Sequence, residues 1–260
     1  KRNCLASYPW PSSFSGEKFL MAKVRIIGLG RVGSALSLAH KNAHDDLCES
    51  ASTVIFAVPD DKLADAIADF STSNNCQDKF VVHVSGVHGL EILQPIADAG
   101  AQVAALHPMM QFVDANTDVE LLKQSYVSCS ASQSAHDKAS ALVALWGAKM
   151  ITLNPGVDRR QYHLALSLVS NHLTGLMAWA NELLVPALGE NSAEVVAQMA
   201  AKAVAAASCD DPLSSLTGPV ARGDANTIAQ HMQSLTEQQQ QRYAGLLLNL
   251  QALVDERRDA

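Results

Sequence analysis

The chain is short of positive charge, of closely spaced cysteines and of long apolar runs, and each shortage closes off a class of function. Lys and Arg number 19 against 26 Asp and Glu, a net charge of −7. Nucleic acid and anionic membrane surfaces both demand concentrated Lys/Arg, so neither is an expected partner. No apolar run approaches the ~20 residues that a membrane span needs. Five cysteines (Cys4, Cys48, Cys76, Cys129 and Cys209) are odd in number and scattered, with no CxxC among them. Free thiols in a reducing cytosol are the expected result, hence a cytoplasmic protein. HExxH, His-x-His and GxSxG are all missing. A zinc site built from His83, His88 and His107 is therefore set aside, as is a Ser/His hydrolase. Lys1 to Leu20 holds Pro9-Trp10-Pro11 and several serines, without periodicity or a signal-peptide core, and Met21 follows. It reads as a disordered or adventitious leader.

What is present is a 48% hydrophobic chain with 17% charged residues, enough for a real core. Its most informative stretch is Gly28-Leu29-Gly30-Arg31-Val32-Gly33, between a strand-like run, Lys23 to Ile27, and a helix-like run, Ser34 to His40. In that context each glycine has a physical task. The first permits the tight turn, the second lets a pyrophosphate approach the backbone, and the third lets helix pack on strand. The helix N-terminus then presents its positive dipole end to the phosphates. A dinucleotide site also wants an acidic residue about 20 residues further on, at the end of a second strand. Glu49 has that spacing, yet the residues before it, 41–48, do not read as a strand. Only 19 residues, Ser34 to Ser52, precede the next clear strand, and the first helix uses most of them. The second strand and helix are expected to be missing, which places the first strand at a sheet edge.

From Met21 to Leu153 short apolar runs alternate with helical stretches. Strands are expected at 23–28, 53–58, 79–84, 102–106, 125–129 and 149–153, with helices near 31–42, 61–70, 89–99 and 133–147. Such alternation predicts a Rossmann-like α/β domain, 21–153, on a parallel sheet. Asn154-Pro155-Gly156 ends the pattern. Residues 154–260 carry only helical spacing, with helices near 158–188, 191–208, 212–217, 224–233 and 236–256, and read as an all-α substrate and dimerisation domain.

Ligand crevices of such sheets lie beyond the carboxyl ends of the strands. Val58 and Pro59 follow the second strand there, beside the glycine loop, while Asp60 and Asp61 suit the first turn of the next helix. His83, Ser85 and Gly86 end the third strand and His107 ends the fourth. The histidines can orient a substrate or move protons, and a hydroxyl followed by glycine allows close approach; satisfied turn histidines are the alternative. His163, Ser167 and Asn171 fall at i, i+4 and i+8, one polar stripe on a helix. That stripe serves either a site or an interhelical ladder. Arg222, between Gly218 and Asp224, can present a fork to an anion or pair with Asp224.

These motifs, with Leu106-His107-Pro108-Met109, Tyr162-His163, Ser170-Asn171 and 218–224, carry a resemblance. From Ala22 to about Val254 the chain resembles uncharacterised bacterial Rossmann-like proteins with a helical C-terminal domain of unknown function, commonly described as NADP-dependent oxidoreductases. The layout is similar to ketopantoate reductase, pyrroline-5-carboxylate reductase and the 6-phosphogluconate dehydrogenase group. The resemblance implies NADP held by Gly28, Leu29, Gly30, Arg31, Val32, Gly33, Val58 and Pro59. Ser85 and Gly86 would contact substrate, helped by His83, His107 and Arg222. The wider group places a Lys one turn before the Asn of the long helix. Here that position is Ser167, and His163 is the replacement proton donor beside Asn171. With the second strand lost, NADP binding is expected to be weakened or lost. The resulting expectation is an oxidoreductase for a small polar, anionic metabolite. The alternative is a non-catalytic descendant that binds a metabolite or partner.

Overall fold

The structure, a computed structural model, describes residues 24–40, 51–209 and 211–259. The leader and Glu49 lie outside these residues. Six strands form one sheet in sequence order: β1 (Val24–Ile27), β2 (Thr53–Phe56), β3 (Phe80–His83), β4 (Gln102–Pro108), β5 (Tyr126–Ala131) and β6 (Lys149–Thr152). β1 to β4 are parallel, with Val24 opposite Thr53, Thr53 opposite Phe80 and Phe80 opposite Gln102. β2 and β3 are buried at every position, as strands covered on both faces must be. Alternate side chains divide between two cores. Ile55, Val82 and Leu106 pack with Leu36 of α1 (Arg31–Ala39), Leu122 of α4 (Ala115–Leu122) and Leu142 of α5 (His136–Leu145). Val54, Phe56, Val81 and Val103 pack with Leu63, Ile67 and Phe70 of α2 (Asp60–Ser73) and Ile96 of α3 (Gln94–Asp98).

Among the described residues β1 pairs only with β2, and so lies at a sheet edge. The short spacer behind Gly33 accounts for that position. The expectation of a wholly parallel sheet needs correction, because β5 runs antiparallel to β4 and β6 follows β5. After Pro108 the chain does not cross back to the other end of the sheet. It forms α4, capped by the Asp114 side chain accepting from Thr117 N–H, and enters β5 at the same edge. Met109 N–H donates to Tyr126 O at 2.8 Å, closing that return. α4 is a short helix that the apolar spacing did not predict.

The chain divides into two compact units between His172 and Leu173. The first therefore extends past Asn154-Pro155-Gly156, the break where the sequence pattern changes. The helix expected over 158–188 is α6 (Arg159–Ser167), a π turn (Leu168–His172) and α7 (Leu173–Leu188). α6 stays with the sheet because its side chains bond to β5. The second unit continues with α8 (Ser192–Ala207), α9 (Pro219–Arg222), α10 (Ala225–Gln233) and α11 (Glu237–Asp259). No described helix is long and apolar enough to cross a membrane.

His40 ends α1 against the far side of the sheet domain, where Trp146 Nε1–H donates to His40 Nε2 at 2.8 Å inside the core. Burial holds the His40 imidazole down at about 4, and the same cause lowers His83 to about 4. A histidine with a depressed folded-state pKa binds protons first in the unfolded chain. Its stabilising effect is complete above the ordinary value of 6.5 and is lost as pH falls toward 4. Each group accounts for about 3 kcal/mol over that window. Thermal unfolding followed by circular dichroism should show a much lower Tm at pH 5 than at pH 7.5. An unchanged Tm would mean that neither ring is held neutral by the fold.

Candidate functional site

At the end of β1 the three glycines have three different geometries. Gly28 has a φ of +95°, and a β-carbon there would lie 2.6 Å from Ala57 O and 2.8 Å from Val58 Cγ1. A β-carbon on Gly33 would fall 1.8 Å from Gly28 O. Helix and turn are thus as close as backbone allows. Gly30, the N-cap of α1, would direct a β-carbon into open space. The first and third glycines shape the fold, and the second leaves an uncovered approach to the α1 N-terminus. Arg31 is exposed in that first turn, Val32 is half-buried, and Leu29 is exposed over the loop. Val58 walls the turn and Pro59 begins α2, whose first turn holds Asp60 and Asp61.

Behind β3, His83 is fully buried. Its Nε2–H donates to Gly89 O at 2.8 Å and its Nδ1 accepts from Ser85 N–H at 3.2 Å. Both nitrogens hold the 83–89 loop together, so the ring has none left for a substrate, contrary to the role expected of it. Ser85 Oγ accepts from the N–H groups of Val87 and His88 at 3.2 and 3.1 Å. This hydroxyl, too, shapes the loop first. The tight turn delivers Gly86 to a narrow place between two rings. A β-carbon there would lie 2.7 Å from His163 Cδ2 and 2.9 Å from His107 Nε2. Only glycine lets the third-strand loop, His107 and His163 meet.

His107 and Ser128 are register partners across β4 and β5, so their side chains share a face. α6 lies on that face and joins them through Tyr162. The Tyr162 hydroxyl donates to Ser128 Oγ at 2.9 Å, and lies 2.9 Å from His107 Nδ1. With the hydroxyl proton directed to Ser128, His107 Nδ1–H is the donor to Tyr162. His107 Nε2, beside Gly86, then carries the lone pair. Burial, reinforced by the charges of His163 and Arg159, holds the His107 ring down at about 4. It is therefore neutral at physiological pH. His163 packs edge-on to His107 with ring centroids 6.1 Å apart.

The polar stripe needs correction beyond its first members. A π turn takes in one residue more than an α turn, so the i, i+4, i+8 register ends at Ser167. Asn171 instead bonds to the segment after β4, its Oδ1 accepting from Gln111 Nε2 at 3.1 Å. Among the described residues no hydrogen bond ties the Ser167 side chain to this cluster. Arg222 lies in the second unit, exposed, 3.8 Å from Asp224, whose carboxylate caps α10 through Thr227 N–H. The ion-pair alternative is the one observed.

Sequence reasoning missed Arg159, Ser128 and Ser130. Arg159 is buried to 8% exposure and its Nη2 donates to Ser130 Oγ at 3.0 Å. A signal existed for it. Arg159, Tyr162, His163 and Leu166 recur at i, i+3, i+4 and i+7, the spacing of a buried helix face, and that face is the less exposed one. The two serines alternate with Val127 and Cys129, which face the opposite core.

A mostly parallel sheet with a glycine-rich turn after its first strand defines a Rossmann-like fold. Residues 40–108 match the model of a Rossmann-like domain, and residues 125–249 match that of a domain of unknown function, DUF2520. The two matches together place the chain among the uncharacterised Rossmann-like proteins with this helical C-terminal domain. No curated protein matches it. Among solved structures, a Bacteroides fragilis protein assigned as an NADP oxidoreductase is similar at 18% identity and a TM-score of 0.72, over 89% of this chain and 98% of its own. Plasmodium falciparum pyrroline carboxylate reductase with NADP bound is similar at 13% identity and 0.58, over 91% and 96%. An Aspergillus terreus reductive aminase in complex with NADPH and ethyl levulinate gives 13% and 0.58, over 90% and 93%. At these identities the likeness is one of fold.

Proposed function

We propose that the chain is an NAD(P)-dependent oxidoreductase for a small polar, anionic metabolite. The observation that carries this reading is the uncovered Gly30 at the α1 N-terminus, set between two glycines whose β-carbons the fold forbids. Gly28 to Gly33, with Val58 and Pro59, would hold the pyrophosphate, and Arg31 adds a cation at its edge. The cofactor, when bound, supplies the hydride. The chain's own residues would position substrate beside His163 and govern a proton. His163 would donate it to the developing alkoxide or amine, with Asn171, tied to Gln111, fixing substrate orientation. Neutral His107 and Tyr162 would hold the crevice wall in one hydrogen-bonded order. Consumption of NADPH with a panel of small carbonyl and imine acids tests the reading. Binding of NADPH without turnover on any of them would favour the non-catalytic alternative.

We infer weak cofactor affinity from the short spacer between Gly33 and Thr53. A ribose contact to a charged group is worth about 1.5–3 kcal/mol, a tenfold to hundredfold effect. The same reading makes the protein a homodimer through its helical unit. Leu183, Val185 and Leu188 on α7 and Met199 and Val204 on α8 are exposed, whereas the Tyr243, Leu246, Leu247 and Leu250 face of α11 is half-buried. The apolar excess thus lies on α7 and α8, and two-fold self-pairing is the commonest way to cover it. Light scattering at micromolar concentration should return twice the chain mass; a monomer mass with folded helices would contradict it.

A further inference from the structure

Arg159 is a buried charge with no carboxylate in contact with it. It is more than nine-tenths buried, yet no carboxylate lies within 4 Å of it among the described residues, and Nη1 has no hydrogen-bond partner. A guanidinium does not lose its proton in a protein, so it cannot escape the cost of burial by becoming neutral. An uncompensated buried cation works against folding. The surroundings locate it in the crevice described above. Its charge is felt at His107, His83, Tyr162 and Glu91, and its Nη2 is held by Ser130. Glu91 is the acidic group that acts on it, but only at longer range: no ion pair within 4 Å joins the two, and that carboxylate accepts from Gly89 N–H at 2.8 Å.

We propose that Arg159 is the substrate's anion-binding residue, and that its buried, unpartnered Nη1 takes a carboxylate. The proposal rests on the oxidoreductase reading only for the word substrate; the anion site stands on burial and the missing partner. A carboxylate fits better than a phosphate. One unpartnered nitrogen of one fork suits a planar monoanion, whereas a phosphate dianion calls for more donors. Arg159 precedes Tyr162 and His163 by three and four residues, so the three are neighbours on one helix face. A carboxylate on Arg159 would therefore lie on the face of α6 that carries His163. The substrate class is thus a small carboxylic acid that bears a reducible carbonyl or imine.

Thermal shift and calorimetric titration of the full chain with pyruvate, pyruvamide and inorganic phosphate test this without turnover. Pyruvate should raise Tm and bind in the millimolar range or tighter, and pyruvamide and phosphate should do neither. Arg159→Met should fold with an equal or higher Tm, because it removes an unpaired buried charge, and should weaken pyruvate binding at least tenfold. Arg159→Lys should retain part of it, and serves as the comparison if the methionine variant fails to fold. NADPH binding should be the same in all three proteins. No pyruvate effect on the parent chain, an equal effect in Arg159→Met or Arg159→Lys, or an equal response to phosphate would each overturn the proposal. Loss of NADPH binding in every protein, with pyruvate binding intact, would instead overturn the oxidoreductase reading and leave the anion site standing.

Discussion

His163→Ala should lower kcat by about 10²–10⁴-fold, the usual contribution of one general acid–base group, with Tm nearly unchanged. The argument is geometric. His163 is half-buried, packs against Gly86 and His107, and among the described residues has no hydrogen bond holding its nitrogens elsewhere. His83 is the contrast, since Gly89 and Ser85 occupy both of its nitrogens. His83→Ala should therefore act through the fold, with a lower Tm and a disordered 83–89 loop. Neutral His107 cannot supply the proton, because its Nδ1–H is directed to Tyr162 and its Nε2 carries none. Steady-state kinetics and thermal denaturation on the two variants check the division. Full turnover in His163→Ala, or its unfolding, would return that residue to a packing role.

The second large effect separates two glycines three residues apart. Gly33→Ala places a carbon 1.8 Å from the backbone oxygen of Gly28, and neither partner is a flexible side chain. α1 would have to move off β1. Overpacking of this kind costs about 3 kcal/mol or more, which for a chain of this size lowers Tm by about 6–12 °C. Gly30→Ala adds its carbon to open space at a φ of −69°, which alanine adopts freely. Its Tm should stay near that of the parent, and its affinity for NADPH should fall at least tenfold, about 1.4 kcal/mol. Unchanged NADPH affinity in Gly30→Ala would show that the loop is not a phosphate cradle.

Much of this architecture was legible because short β-branched runs separated by helical spacing have few ways to fold. Even the edge position of β1 followed from counting residues between Gly33 and Thr53. Strand direction was not legible, since period-two burial reads the same both ways, and β5 could be reversed only by the return through Met109 and Tyr126. The site was legible in part. Gly86, His107 and His163 were found because they sit at strand ends or on a polar stripe, and the structure brings them together. Ser128 and Ser130 were hidden by their alternation with core residues, and Arg159 by its place just after an apparent domain break. The π turn at 168–172 broke the assumed helical register, and no local composition marks it.

The turn at Gly30 is proposed to hold a nicotinamide dinucleotide. Fluorescence titration of the purified chain with NADPH, repeated on Gly30→Ala, tests this. Saturable binding weaker than micromolar is expected, reduced at least tenfold in the variant. Absence of any saturable signal up to millimolar NADPH, or equal affinity in the two proteins, would contradict it.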